Sequence, residues 1–317
     1  MTAGTQQSTV IVVTWRGRNQ LTACLDALAR QSRPHRILVV DNASTDGTAR
    51  LIAEHPSRPA VLRTQRNLGY AGALARVLPT VRTRYVAWLN DDAVPSTDWL
   101  ARLEDALDEH PCLAATSSLL RRPDGAVQSA GVRLTADGHG ADATQAPPDG
   151  DVFGFCGGAV LLRTAALADV PGVAGEFFCY YEDTDLSWQL RLAGWAIRAV
   201  PAEVVHAHGS TTAIGSRQFH RWNERNRLLT LLRCAPAGVA VTQLVRFIAV
   251  TALLPIKRVP PAANFSARLR LRVLAEVFGG LGRALRTRRR IGYRARQRRA
   301  EVWATWAGRA VPGRTLE

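Results

Sequence analysis

Lysine is all but missing from this chain: Lys257 is the only one among 41 basic residues, and the rest are arginine. A glycine-rich loop with a phosphate-gripping lysine after the first strand is therefore excluded, and nucleotidyl transfer of that kind with it. Cysteine is also sparse. Cys24, Cys112, Cys156, Cys179 and Cys234 are odd in number, scattered and without CxxC spacing. That excludes a disulfide framework and a cysteine-ligated metal cluster, and suits reduced, buried thiols of a cytosolic protein. No long hydrophobic run is present. The most apolar stretch, residues 239–255, is interrupted by Gln243 and Arg246 and is short for a bilayer span. The first residues, MTAGTQQSTVIVV, lack the basic start, long apolar stretch and small-residue cleavage site of a signal peptide, and none is expected. No repeat of fixed period is evident.

Acidic residues are scarce in one region only. Residues 217–317 hold 22 of the 41 Lys plus Arg but 4 of the 26 Asp plus Glu, whereas residues 1–216 are slightly acidic. The net charge of +15 thus belongs to the C-terminal third. Such a segment suits an anionic surface, either lipid headgroups or nucleic acid. Few aromatics for base stacking and no recognition motif argue against nucleic acid.

What is present is a core and an alternation. With 317 residues, 47% of them hydrophobic, the chain can bury one large domain or two smaller ones. STVIVVTW at 8–15 reads as a strand, 19–30 as a helix, 36–40 as a strand, and 45–54 as a helix with Ser44 or Thr45 as N-cap. Residues 59–63 read as a third strand, a helix begins near Tyr70, and another strand ends at Asp91. This order predicts an α/β fold with a mostly parallel sheet and helices on both faces. Residues 121–150, rich in Gly, Pro, Asp and Ala, read as hairpins and loop. A strand is expected over 154–163, a helix from Glu182 to near Gly194, and a last strand over 200–210.

The chemistry-bearing residues fall at element ends. In YVAWLNDDAVP, Asp91 and Asp92 follow a buried strand, at the sheet edge where open α/β folds bind ligands; paired carboxylates there can hold a divalent cation against a diphosphate. Asp41 follows the second strand, where it can accept a base imide N–H or a ribose hydroxyl; an Asx-turn accounts for the same residues. Thr14 ends the first strand beside it, and Arg66 stands where it can offset diphosphate charge. Glu182 and Asp183 open a helix, a favourable place for carboxylates in any case. His206 and His208 follow the last strand. Trp188 and Trp195, at helical spacing, are expected in the core rather than against a sugar.

VVDNASTDGT, NLGYAG, LNDDAVP, GFCGGAVLLR, YEDTDLSWQLRLAGW, VVHAHGS and RNRLLTLLR occur in this order. Together, over about residues 8–233, they resemble the family 2 inverting glycosyltransferases, in particular the bacterial rhamnosyl- and galactofuranosyltransferase branch. The resemblance implies a GT-A fold over 1–215, with a nucleotide-sugar half at about 1–95 and an acceptor half at about 96–215. It further implies Asp41 as a nucleotide contact, Asp91 as a ribose or metal-water contact, Asp92 as a ligand of Mg²⁺ or Mn²⁺, and His206, with His208 as rival, completing the metal shell. Asp183 is then the base that takes the acceptor proton, with Glu182 positioning acceptor hydroxyls. Leu74 and Ala75 stand where the family commonly has asparagines, and Arg16 where an Asn is usual; these departures bear on donor identity.

Residues 216–317 are expected to form an Arg-rich helical region. Arginine alternates with Leu, Val and Phe over 265–283, and RTRRRIGYRARQRR at 286–299 is almost purely cationic. A basic amphipathic helix near Trp303 and Trp306 reads as a membrane-surface anchor. The expectation is a metal-dependent inverting glycosyltransferase, peripheral on the inner face of the cell membrane. It would move a sugar, rhamnose from dTDP-rhamnose first, from a nucleoside-diphosphate donor to a polyprenyl-linked or cell-envelope glycan. Galactofuranosyl transfer is the alternative within the class, and an inactive nucleotide-sugar- or glycan-binding protein the alternative outside it.

Overall fold

A computed structural model of the chain describes residues 6–207, 215–254 and 262–309. The apolar runs become strands and the amphipathic stretches helices: β1 (Ser8–Thr14), α1 (Leu21–Ala29), β2 (His35–Asp41), α2 (Thr48–Glu54), β3 (Ala60–Arg63), α3 (Gly69–Val77) and β4 (Tyr85–Asn90) alternate as expected. α2 starts later than predicted. Its N-cap is Gly47 in the left-handed region, φ 92°, while the Asp46 carboxylate accepts from Thr48 N and Oγ1. Then come β5 (Ala93–Pro95), α4 (Trp99–Glu109), β6 (Leu113–Arg121), β7 (Val127–Ser129), and the hairpin of β8 (Val132–Leu134) with β9 (Gly140–Asp142). β10 (Ala159–Arg163), α5 (Thr164–Leu167), α6 (Glu182–Leu192) and β11 (Ala196–His206) complete the first unit. α7 (Arg217–Cys234), α8 (Ala237–Leu253), α9 (Ala267–Arg294) and α10 (Arg299–Trp306) follow.

The main sheet runs in the order β3-β2-β1-β4-β10-β6-β11-β5, with β7 on β6. β1 to β4 are mutually parallel, and β11 is parallel to β6. β10 enters antiparallel between β4 and β6 and makes the sheet mixed. Alternation along β1 shows both faces covered. Val10 and Val12 pack with Leu25 of α1 and Trp99 of α4, whereas Ile11 and Val13 join the cluster that holds Leu74 of α3 and Leu190 of α6. The segment 154–158, expected to begin a strand, is instead a glycine-bearing loop leading into β10.

The C-terminal helices lie on this unit with a shared core. Trp303 and Trp306, expected at a membrane-facing helix, are packed inward: Trp303 stacks on Trp188 at 5.9 Å, and Trp306 lies 6.1 Å from Phe153. Burying two indoles against Trp188 and Phe153 outweighs leaving them at a surface. Part of the cationic run is also structural. Arg288 donates to the carbonyls of Leu232 and Ala235 at the end of α7, and Arg294 to those of Ala168 and Val170. No helix among the described residues is long and apolar enough to cross a membrane. The described cysteines are all free.

Candidate active site

Parallel register brings the ends of β1, β2 and β4 to one edge. Thr14 pairs with Asp41 across β1 and β2, and Val13 with Asn90 across β1 and β4. Thr14 Oγ1 donates to Asp91 Oδ2 at 2.6 Å and Gln20 Nε2 to Asp91 Oδ1 at 3.1 Å, so both oxygens of this buried carboxylate are held. Burial nevertheless pushes Asp91 up to about 6, with the Thr14 bond opposing the shift and the charge of Asp92 adding to it. Gly17 passes so close that a Cβ there would collide with Thr14 Oγ1 and stand 2.7 Å from Asp91 Oδ2.

Asp41 is 1% exposed and does two things. Its Oδ1 accepts from Ser44 N at 2.9 Å, the expected Asx-type turn, and its Oδ2 is ion-paired with Arg63 Nη1 at 3.1 Å. Nothing in the sequence singles out Arg63, although β2–β3 register sets it directly opposite Asp41. Arg66 stands exposed in the turn after β3. Asn42 ties this corner to the NLGYAG segment: its amide donates to Asn67 Oδ1 and Gly69 O, and its Oδ1 accepts from Leu68 N.

Asp92 and His206 meet from different strands. Asp92 Oδ1 lies 3.1 Å from His206 Nε2, with both side chains 5% exposed. Gln128 Oε1 is 3.1 Å from His206 Nδ1, and Asn90 Nδ2 is 3.0 Å from Nε2. Gln128 Oε1 takes the Nδ1 side of the ring, and Nε2 faces both Asn90 Nδ2 and the Asp92 carboxylate. A carboxylate oxygen and an imidazole nitrogen 3.1 Å apart are spaced as neighbouring ligands of one divalent cation. Among the described residues no three His, Cys, Asp or Glu converge into a ready-made cage; a hard cation that keeps waters and takes diphosphate oxygens requires only one or two protein ligands. His208 lies outside the described residues.

Glu182 and Asp183 open α6 after a constrained approach. Phe178, Tyr180 and Tyr181 all have positive φ, 67°, 70° and 70°. Asn226 of α7, fully buried, holds this segment by donating to the carbonyls of Phe177, Cys179 and Tyr180 at 3.1, 2.9 and 2.8 Å. That gives the RNRLLTLLR motif a role that its composition does not disclose. Asp183 is partly exposed; its Oδ2 accepts from Gly157 N at 3.0 Å and its Oδ1 from Thr184 N at 2.6 Å. Glu182 is buried, with Oε2 left without a hydrogen-bond partner. Burial raises both carboxyls, and the charge of Asp183 raises Glu182 further. Asp185 is structural: Gln189 Nε2 at 2.6 Å and Arg233 Nη2 at 3.1 Å hold its Oδ2.

The glycine loop joins the two centres. Gly157 N binds Asp183, Gly157 O accepts from Tyr70 Oη at 2.8 Å, and a Cβ at Gly158 would stand 3.7 Å from His206 Cε1. The acid pair and the Asp92–His206 pair therefore flank one short, side-chain-free wall at the sheet edge. Trp188 and Trp195 stay out of it: Trp188 is fully buried, and Trp195 donates to Asp169 Oδ2 at 3.0 Å.

Parallel βα units, an Asp41 corner and a double-aspartate strand end together form an α/β fold with a candidate ligand site at its strand ends. The chain belongs to glycosyl transferase family 2, whose model matches residues 9–170, and it is a glycosyltransferase. It is 28% identical over 235 residues to the N-acetylglucosaminyl-diphospho-decaprenol L-rhamnosyltransferase of Mycobacterium tuberculosis (strain ATCC 25618 / H37Rv), covering 64% of this chain and 76% of that protein. It is 29% identical over 121 residues to the putative teichuronic acid biosynthesis glycosyltransferase TuaG of Bacillus subtilis (strain 168), covering 37% of this chain and 48% of that one.

Solved structures with the same fold include GalNAc-T7 with UDP, GalNAc and Mn²⁺, with a TM-score of 0.61 at 12% identity; the match covers 88% of this chain but only 56% of that one. S. aureus TarS in complex with UDP-GlcNAc has a TM-score of 0.54 at 16% identity, over 90% and 92% of the two chains. The fold is that of the GT-A glycosyltransferases.

Proposed function

We propose that the chain is a metal-dependent inverting glycosyltransferase that moves a sugar, rhamnose from dTDP-rhamnose first, to a polyprenyl-linked cell-envelope glycan precursor. The observation that carries this reading is the placement of two centres across the Gly157–Gly158 loop, an acid pair at the start of α6 and the Asp92–His206 pair on the strand ends. The rhamnosyltransferase relative, whose name specifies a diphospho-decaprenol acceptor, supports the sugar and the acceptor class. The fold relatives solved with Mn²⁺ support the metal.

In this reading Asp41 and Arg63 meet the nucleotide, and Asp91, fixed by Thr14 and Gln20, meets the ribose. Asp92 and His206 would hold Mg²⁺ or Mn²⁺, which when bound offsets charge on the leaving diphosphate. Asp183 takes the proton from the acceptor hydroxyl as its oxygen bonds to the anomeric carbon and the bond from that carbon to the diphosphate oxygen breaks. Two N–H donors hold the Asp183 carboxylate in place, and its raised affinity for protons suits a base. Glu182, kept neutral by burial, leaves the pair with a single charge. The C-terminal region would bring this site to a membrane surface, where α8 and α9 expose Val241, Val245, Ile248, Leu271, Phe278 and Leu285 among arginines.

The test is nucleoside-diphosphate release from a panel of nucleotide sugars with polyprenyl-linked acceptors, native chain beside Asp183→Asn. Release from one donor, lost on chelation and reduced about 10²- to 10⁴-fold in the variant with donor affinity retained, is expected. Full transfer by Asp183→Asn would remove it as base. UDP-galactofuranose as the only donor used would replace the sugar and keep the rest.

A further inference from the structure

Between α7 and α9 lies a cavity of about 500 Å³ whose wall includes Arg225, Arg233, Arg283 and Arg286 against Glu176 and Glu276. The acids are already engaged. Glu276 is paired with Arg221 at 2.5 Å, Arg272 at 3.2 Å and Arg225 at 3.6 Å, and Glu176 stands 3.7 Å from Arg233 Nη1, too far for a hydrogen bond. Arg233, its side chain 4% exposed, has Nε and Nη1 buried without hydrogen-bond partners. Arg283 and Arg286 are exposed and, among the described residues, make no ion pair or hydrogen bond. Arg233, paired with Asp185 through Nη2, thus keeps two buried donors without hydrogen-bond partners, and each costs desolvation that only an acceptor offsets.

The helix itself is built to keep this space open. Gly279, Gly280 and Gly282 line the cavity within α9, a 28-residue helix, although glycine is the poorest helix former after proline. A Cβ at Gly279, which is exposed at the cavity's lining, would meet nothing within 4 Å, so a longer side chain there is accommodated without a clash. Phe177, on the opposite wall, begins the constrained segment that ends at Glu182 and Asp183. On its other side α9 presents Leu271, Phe278 and Leu285, seven residues apart and exposed.

We infer that this cavity binds the diphosphate of the lipid-linked acceptor: guanidinium forks inside, an apolar stripe outside for the prenyl chain, and a wall shared with the segment that carries the candidate base. The inference rests on the glycosyl-transfer reading for the identity of the acceptor, and on the cavity alone for its affinity for a diphosphate.

Two measurements on the full chain test it, with Arg283→Gln/Arg286→Gln and, separately, Gly279→Leu, which adds bulk at the cavity's lining while favouring the helix. The first is calorimetric titration with inorganic pyrophosphate, saturating nucleoside diphosphate being present to fill the donor site. Binding by the native chain, weakened roughly tenfold or more in both variants, is expected. The second compares transfer to a sugar on prenyl diphosphate with transfer to the same sugar on a phosphate-free aglycone. KM should rise by a similar factor for the first acceptor only, with donor KM and kcat unchanged.

Equal pyrophosphate affinity in native chain and variants overturns the proposal. So does a variant defect confined to vesicles of anionic lipid, which would assign these arginines to headgroup contact. If the native chain transfers no sugar but binds pyrophosphate through these residues, the cavity stands and the transfer reading falls.

Discussion

Glu182 is a buried carboxyl whose Oε2 has no hydrogen-bond partner. Its carboxyl is raised by burial and by Asp183, so the folded chain keeps it neutral at pH values where the unfolded chain has ionised it. Stability from this group is full below the unfolded value and is lost as pH rises toward the folded one. Glu182→Gln, which mimics the neutral acid, should therefore melt higher than the native chain near pH 7 and converge with it near pH 4. The gap corresponds to about 1.4 kcal/mol for each tenfold difference in proton affinity between the folded and unfolded chain, read from melting curves across that range. As the proposed base, Asp183, raised in the same direction, should make activity rise with pH through a midpoint above the ordinary carboxylate range; a rate already flat from pH 4 upward would refute this. Gly17→Ala should spare the fold and lower donor affinity, because the new Cβ displaces Thr14 Oγ1 or Asp91; donor titration unchanged from native would contradict it. At this scale the sequence marks positions: Asp41, Asp91 and Asp92 at strand ends and Asp183 at the start of α6 stand where their residue types and turns said they would. It is silent on Arg63, Gln20, Gln128 and Asn226, whose roles arise from register and contact between segments far apart in the chain.

Elements tell the same story through their ends. Strand–helix alternation over the first 90 residues is readable because each strand is a short apolar run bounded by turn residues, and β1 to β4 form as a parallel set. The direction of β10 is not readable, since a buried antiparallel strand and a buried parallel one have the same composition. The start of α6 depends on α7. Asn226 shares its two amide protons among three carbonyls of a segment with three non-glycine residues at positive φ. Asn226→Ala removes these bonds and leaves the carbonyls buried, so a loss of about 2–4 kcal/mol is expected in chemical denaturation. If the segment relaxes before the whole chain unfolds, transfer is lost at denaturant concentrations where the helical signal is intact. Coincident loss of both would mean that α6 and α7 unfold with the sheet as one unit.

For the molecule as a whole, the C-terminal helices have two opposed faces. Inward, Trp303 and Trp306 complete the core over Trp188 and Phe153, which composition could not reveal because tryptophan beside arginine suits a membrane interface equally well. Outward, α8 exposes Val241, Val245 and Ile248 at helical spacing, and α9 exposes Leu271, Phe278 and Leu285 in a line between arginines. Exposed apolar rows flanked by cations match the two terms of interfacial binding, area buried in the headgroup layer and attraction to anionic lipid. The chain should thus float with vesicles containing phosphatidylglycerol, less so as salt screens the arginines, and not with zwitterionic vesicles. Leu271→Glu/Phe278→Glu should abolish flotation with little change in melting temperature, because both side chains are about half exposed in the folded chain. Rates on a water-soluble acceptor should be unaltered in that variant, while rates on a vesicle-embedded acceptor fall. Flotation retained by the double variant would place the membrane contact elsewhere, and loss of both rates would mean that the helix, rather than its outer face, had been disturbed.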